Sequence, residues 1–454
     1  MSIEAPSPVD TALPSSNSPD IRISRRSFFK YLGASTAVLA AGVELQTHAL
    51  TVLAEQIGDR KTASLDNNSF IDVNRDKLSK VKLGCSFAPE QFGLSLTTID
   101  EDKANGKLDK ALGALRFAVE HLNIAQVRLG IRWNNSVDEN GELDLRLYES
   151  FFDYCVRNNV DICLNTGIKV FRWPEDHVPN GLIAEDSLIK HSTVYSQSDL
   201  ARKSLDHTQD LFDFLIQKYG DEGIAKIKTI QPENEPFDGF GENGFKMDPY
   251  YLRDFIKLCL SHFPNSNILI NSSNPLNFSL ISELFSSVAR DNPQTRGSLI
   301  SGYDYYPYHP AFPFLPGIGT IDAISISQIS DGNRYTKHKA EAKKRDFKIE
   351  ITEGQAEPWG DIQLPGNSAT AFRFMILRSI NNVLDTTENS IIGIWGLEYL
   401  YQIAVSGNAT IEHERIFDLI QMVNGGNVIS LRDWTSSRPQ KASSATATFL
   451  PQAA

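Results

Sequence analysis

From residue 81 the chain alternates short apolar runs with amphipathic stretches, and this alternation narrows the fold more than any other feature. Strand-like runs occur at Val81–Phe87, Ala125–Trp133, Val160–Ile168, Ile227–Pro232, Asn267–Asn271, around Leu299–Tyr308, at Phe347–Glu353 and at Ile391–Trp395. Helical periodicity fills the gaps at Leu108–Leu122, Leu145–Asn158, Leu200–Lys218, Tyr250–His262, Leu280–Ala289, Ala369–Leu384 and Glu414–Val423. Between the sixth and seventh runs, Thr320–Ile329 is apolar and Tyr335–Lys344 is helix-like. Strands separated by helices pair in parallel through crossovers. Eight such units favour a closed (β/α)8 barrel, an α/β fold in one domain spanning 81–430, over an open doubly wound sheet. The glycine-rich signatures of nucleotide folds are missing after the early strands.

Two of these runs end on a glutamate. Ile227–Phe237 reads IKTIQPENEPF, and Pro236 stops the strand because it has no N–H to donate. Phe347–Glu353 reads FKIEITE, and Gly354 is expected to break it. In a parallel barrel the strand C-termini converge on one face, which carries the active site. Two carboxyl groups brought together there suit acid and nucleophile chemistry on a glycosidic bond. Glu350 and Glu357 compete with Glu353 for the second role. Glu350 lies three residues away, which on a regular strand means the opposite face, toward the helices and a salt bridge. Glu357 falls in the following loop and is expected to line the cleft.

Composition removes other classes. Of 454 residues, 41% are hydrophobic, ample for a large core, and the net charge is −12. That balance, with no basic cluster interleaved with aromatics, argues against nucleic acid and anionic membranes as partners. The cysteines, Cys85, Cys155, Cys163 and Cys259, form no metal spacing and read as buried core residues, with a disulfide possible but not required. His177, His309 and Asp304 share no local ligand motif, so no metal and no cofactor is expected.

The N-terminal segment reads as an address. Residues 1–20 are rich in Ser, Pro and Asp and have a disorder-prone composition. Ser24-Arg25-Arg26-Ser27-Phe28-Phe29-Lys30 then precedes a moderately apolar stretch, Tyr31–Val43, too short to cross a membrane. This resembles a bacterial twin-arginine export signal, with cleavage near Ala49 or at Ala54. The layout is therefore residues 1–49 as signal and disordered N-terminus, 50–80 as linker, 81–430 as catalytic barrel and 431–454 as polar tail. The expected location is periplasmic or extracellular, with membrane contact only transient, during export.

Five short motifs resemble the clan of retaining glycoside hydrolases that includes cellulase-like endoglucanases, mannanases and β-galactosidases. Asn234-Glu235-Pro236 is similar to the clan's fourth-strand motif, and Ile351-Thr352-Glu353 to its seventh-strand glutamate. Val127-Arg128-Leu129 looks like the second-strand segment whose arginine supports the nucleophile. Asp304-Tyr305-Tyr306 resembles the sixth-strand pattern with an aromatic hydroxyl, and Ile394-Trp395-Gly396 the eighth-strand tryptophan that serves as a sugar platform. The likeness spans about residues 81–425. The segments after Glu353 and Trp395 match no subfamily with a single substrate, which leaves the sugar open.

The resemblance implies Glu235 as acid and base, Glu353 as nucleophile, and Arg128, Asn234 and Tyr306 in support, with Asn234 on the sugar 2-hydroxyl. Arg132, on the same face, is an alternative to Arg128, and Tyr305 to Tyr306. Trp133, Trp173, Trp359 and Trp395 all fall at or beyond strand C-termini. Together with Gln91 and Glu357 they are expected to contact substrate, unless the indoles only fill the barrel mouth. The expected function is exported, retaining hydrolysis of a β-linked glycan or glycoside by double displacement. A transglycosylase using the same residues, or a non-catalytic carbohydrate-binding barrel, remains as an alternative.

Overall fold

Eight parallel strands close into a barrel. The computed structural model describes residues 67–185, 190–305, 335–336, 338–355, 368–384 and 390–436. The export signal, Tyr306, Glu357, Trp359, the 320–329 run and residues 437–454 lie outside them. In chain order the strands are β1 (Val81–Phe87), β2 (Gln126–Gly130), β3 (Asp161–Thr166), β4 (Thr193–Val194), β5 (Ile227–Pro232), β6 (Lys246–Met247), β7 (Asn267–Ser272), β8 (Leu299–Tyr305), β9 (Lys348–Gln355) and β10 (Ser390–Trp395). The barrel runs β1-β10-β9-β8-β7-β5-β3-β2, while β4 and β6 pair with each other in the loops above it.

Each barrel strand is buried on both faces, and the residues alternate accordingly. Val127 and Leu129, Ile162 and Leu164, Ile268 and Ile270, and Ile392 and Ile394 join the main apolar cluster with the helices. The inward residues form layers. The lower layer is an apolar plug of Cys163, Leu269 and Ile300. The layer above is polar, with Arg128, Gln231, Asn271, Asp304 and Glu353 all buried. Gly302 makes room between them, since a Cβ there would sit 2.7 Å from Asn271 Cβ and 2.9 Å from Thr352 Cγ2. All four cysteines are buried and free.

Several element boundaries differ from the sequence reading. Asn67–Leu78, inside the expected linker, is a helix. A helix at Leu397–Ser406 follows β10 before the expected one at Ile411–Val423. Leu431–Ser436, expected as polar tail, is helical, and its Trp434 ring packs 4.8 Å from Phe117 and 5.2 Å from His121. An apolar anchor in a polar segment has no periodicity to announce it.

Strand β9 departs most. It does not break at Gly354 but continues to Gln355, because Gly354 and Gln355 pair with Ile394 and Trp395. It also carries one extra residue. One step on β8, Tyr303 to Asp304, matches two on β9, Ile351 to Glu353; two steps on β10 match three. Such a bulge resets the alternation. Glu350 therefore points inward like Glu353, lining a cavity of about 20 Å³ with Gln126, Arg128 and Thr352. The expected outward salt bridge is absent, and Glu350 makes no hydrogen bond among the described residues. Burial pushes its pKa up to about 7, against the pull of Lys348.

A carboxyl group that titrates near 4.5 unfolded and near 7 folded holds its proton more tightly in the native state. Its contribution is fully present below pH 4.5 and is lost as pH rises through 7. Glu350→Gln should therefore flatten the decline in unfolding free energy between pH 4.5 and 7 by up to one proton's worth, at most about 3 kcal/mol. Denaturant titrations across that window measure it. An unchanged slope would mean that Glu350 is not enclosed as described.

Candidate active site

The loop after β5 is held in a strained conformation. Glu233 and Glu235 have φ of 64° and 41°, a left-handed region that costs non-glycine residues energy. The backbone before a proline is restricted as well, so the surroundings must impose this shape. The Glu233 carboxylate accepts the backbone N–H groups of Ile168 (3.0 Å) and Lys169 (2.5 Å) and the Tyr251 hydroxyl (2.5 Å). It lies against Gly167, where a Cβ would come within 2.5 Å of Glu233 Oε1. Lys169, fully buried, donates from Nζ to the backbone carbonyls of Glu235 (3.2 Å) and Asp238 (2.6 Å). The Glu235 N–H donates to Asn271 Oδ1 at 2.9 Å.

Arg128 is the hub of the polar layer. It donates to Glu353 Oε1 (2.6 Å), Asn234 Oδ1 (2.6 Å), Gln231 Oε1 (2.7 Å) and Ser86 Oγ (3.3 Å), and the Phe171 ring covers it at 4.4 Å. Burial opposes its charge, but the Glu353 and Asp304 carboxyls outweigh that and hold its pKa above the ordinary value. Arg132, the other sequence candidate, faces Glu90 at 3.6 Å instead.

Glu235 and Glu353 are both 1% exposed yet live in different surroundings. Glu353 has the guanidinium beside it. The Glu235 carboxyl instead takes the Ser273 N–H on its Oε1 at 2.8 Å, while Arg128 and Lys169 direct their hydrogen bonds elsewhere. Burial, then Asp304, Asp238 and Glu353, raise the Glu235 pKa well above the usual range. Opposed environments of this kind are how two carboxyl groups acquire different protonation states at one pH.

The neighbours bind one another tightly. Asn234 Oδ1 also accepts from Asn271 (3.0 Å) and Gln231 (3.2 Å), and its Nδ2 donates to Glu175 Oε2 at 2.9 Å. Burial pushes Glu175 up to about 7; Lys169 opposes this and Glu353 adds to it. Asn271 Nδ2 also donates to Asp304 Oδ2 (2.8 Å), and the Thr352 hydroxyl binds Asp304 Oδ1. Asp238 is fixed by Ser272 (2.6 Å) and Asn277 (2.7 Å).

The sequence reading placed Glu235, Glu353, Arg128 and Asn234 in this group, and the structure brings all four together. Gln91 is half-buried in the turn Pro89–Phe92 just beyond β1. Tyr306, Glu357 and Trp359 lie outside the described residues, and only the backbone of Tyr305 is described. Two tryptophans are corrected. Trp133 is 4% exposed and stacks on His207 at 5.4 Å, because the turn at Trp133–Asn135 directs it into the shell around the barrel. Trp395 is 3% exposed, with the Arg172 guanidinium 4.2 Å from its ring and Phe171 against it, so that face is not an open sugar platform. Glu398 holds Arg172 there at 2.6 Å. Trp173, 41% exposed, is the described mouth tryptophan that remains accessible.

Gln231, Asn271, Glu175, Glu233 and Lys169 were missed as site residues. The available signal was weak: polar residues punctuating the ends of apolar runs, as in Gln231 of TIQP and Asn271 of NILIN.

No protein-family model and no curated protein sequence matches the chain. Among solved structures it is similar to a GH5-4 broad-specificity endoglucanase from Clostridium longisporum, at 11% identity and TM-score 0.46, covering 78% of this chain and 98% of that one. It is also similar to an exo-β-1,4-mannosidase from an Opitutaceae bacterium, at 14% identity and TM-score 0.48, covering 76% and 60%. A third is an intracellular xylanase from Thermoanaerobacterium saccharolyticum in complex with xylotriose, at 14% identity and TM-score 0.39, covering 70% and 86%.

Asn271 joins four of these groups, so its loss should be felt in stability. Asn271→Ala strips partners from the Glu235 N–H, Gln231, Asn234 and Asp304. Each buried polar group left unsatisfied costs about 1–3 kcal/mol, and a total above about 2 kcal/mol is expected in denaturant unfolding. A cost below about 0.5 kcal/mol would show that the hub does not organise the layer.

Proposed function

We propose that this chain is a retaining glycoside hydrolase acting on a β-linked glycan or glycoside, with Glu353 as nucleophile and Glu235 as acid and base. The observation that carries this is the opposed pair: Glu353 ion-paired to Arg128 at 2.6 Å, and Glu235 buried among other carboxyls with its pKa raised. A nucleophile needs a counter-charge, which Arg128 gives Glu353, and a general acid must hold its proton, which burial among carboxyls favours at Glu235.

Glu353 attacks the anomeric carbon while Glu235 protonates the leaving oxygen, giving a glycosyl-enzyme. As that charge is consumed, the repulsion on Glu235 falls, and it can take a proton from the water that hydrolyses the intermediate. Asn234, whose Oδ1 is committed to Arg128, Asn271 and Gln231, presents only its second amide N–H to a sugar hydroxyl. Trp173, 41% exposed, would stack on a sugar ring.

Glu353→Gln should abolish turnover of an aryl β-glycoside while leaving the fold intact, and proton NMR of the first wild-type product should show the β-anomer. A fully active Glu353→Gln enzyme would reject the nucleophile, and an α-anomer would reject retention.

Export by the twin-arginine route is the second part of the proposal, supported by the order of Arg25-Arg26, Phe28-Phe29, Lys30 and the apolar stretch. Replacing Arg25 and Arg26 by lysine should leave the precursor in the cytoplasm of a bacterial host. Undiminished appearance of the protein in the periplasm would reject this route.

A further inference from the structure

Asp304 has no part in the two-carboxylate scheme, yet it is registered beside one member and lies one side chain from the backbone of the other. It is 2% exposed, on β8, and its register partner across the sheet is Glu353 itself. On its other side a single side chain, Asn271, separates it from the Glu235 backbone: Nδ2 donates to Asp304 Oδ2 at 2.8 Å, and Oδ1 accepts the Glu235 N–H at 2.9 Å. The bulge in β9 creates this arrangement, because it sets Thr352 to bind Asp304 Oδ1 and brings Glu353 level with Asp304.

Among the described residues, carboxyls outnumber cations around Asp304. Among the described residues, the titratable groups near it are Glu353 on β9, Arg128 on β2, and Glu235 and Asp238 on the loop after β5. Arg128 spends its donors on Glu353, Asn234, Gln231 and Ser86, and none reaches Asp304. Lys169 spends its own on two backbone carbonyls. Among the described residues, four carboxyls thus share an enclosure in which Arg128 is hydrogen-bonded to one of them, Glu353, and the Lys169 ammonium acts on another, Asp238.

We propose that Asp304 is a third working carboxyl of the centre, a positioning residue that keeps Glu235 protonated by competing with it for negative charge. This rests on Glu235 being the general acid. Asn271 and Thr352 fix the Asp304 carboxyl so that it cannot swing away, and Glu353 already commands the arginine. Charge left on Asp304 is then felt by Glu235, on which Asp304 is the largest charged influence. Burial followed by Glu353 raises the Asp304 pKa, and Asp304 is the largest charged contributor to the raised Glu235 pKa, ahead of Asp238 and Glu353.

The experiment needs no substrate. Carboxyl-labelled [5-13C]glutamate in the full chain gives the Glu235 titration by NMR, its resonance identified by its loss in Glu235→Gln. Asp304→Asn keeps the shape and an oxygen for Asn271 while removing the charge. The Glu235 midpoint should fall by about one pH unit or more. Thr352→Val keeps Asp304 but removes a bond that favours its ionised form, and should lower the midpoint by a smaller amount in the same direction. If Asp304→Asn does not fold, Thr352→Val decides. A midpoint that stays within about 0.3 pH units in the decisive folded variant overturns the proposal. Should the enzyme turn over an aryl β-glycoside, the alkaline limb of kcat/KM must move with the NMR midpoint; a limb that stays in place also overturns it. Lack of glycosidase activity would reject the proposed function and leave the NMR result to stand by itself.

Discussion

A single buried guanidinium sets the terms for everything above the apolar plug. Arg128 is 4% exposed, and its stem is fixed by β2 between β1 and β3. Removing such a charge from water costs several kcal/mol unless its donors are met. Here they are met by a carboxylate, two side-chain amides and a hydroxyl, drawn from β9, the loop after β5, β5 and β1. Each partner is thereby oriented as well. An arginine suits this position because its planar fork reaches several acceptors at once, which a lysine ammonium on a flexible stem would not hold in fixed directions.

The loop bearing Glu235 shows the converse arrangement. Its left-handed backbone is unfavourable in isolation and is held from beneath by Glu233, Lys169 and Tyr251. Burial pushes Glu233 up to about 7, while Tyr251, the backbone N–H groups and Lys169 oppose it. The strain and the buried charges both lie where the chain delivers Glu235 to the polar layer, and a side chain held in a fixed geometry needs over-determined supports of this kind. The shorter β4–β6 pair adds a further tie, since Met247 N–H donates to the Pro236 carbonyl at 2.7 Å.

Most of the fold was legible from periodicity. The eight strand runs and their intervening helices needed only the distinction between strand and helix repeats. That signal is strong because every barrel strand is buried on both faces. The helix at Leu431–Ser436 and the one at Leu397–Ser406 were not legible, the first because one indole carries its packing and the second because it directly follows a strand. In the site, Glu235 and Glu353 stood out through position at strand ends, and Arg128 and Asn234 through the resemblance of their short motifs to the glycoside hydrolase clan. Asn271 and Gln231 did not, because an isolated amide in an apolar run is equally at home as a capping or turn residue.

The sequence by itself determined the alternation, the strand on which each chemical group rides and the acidic balance of the chain, since these depend on residue type and local spacing. The tertiary structure decided which groups meet. Only the sheet order places β8 beside β9 and so Asp304 beside Glu353. Only the bulge turns Glu350 inward, because one inserted residue reverses a two-residue repeat. Only packing fixed the tryptophans: Trp133 stacks on His207, Trp395 lies under Arg172, and Trp173 stays at the rim. Spacing along a chain fixes where a side chain begins, but what it touches is set by neighbours distant in sequence.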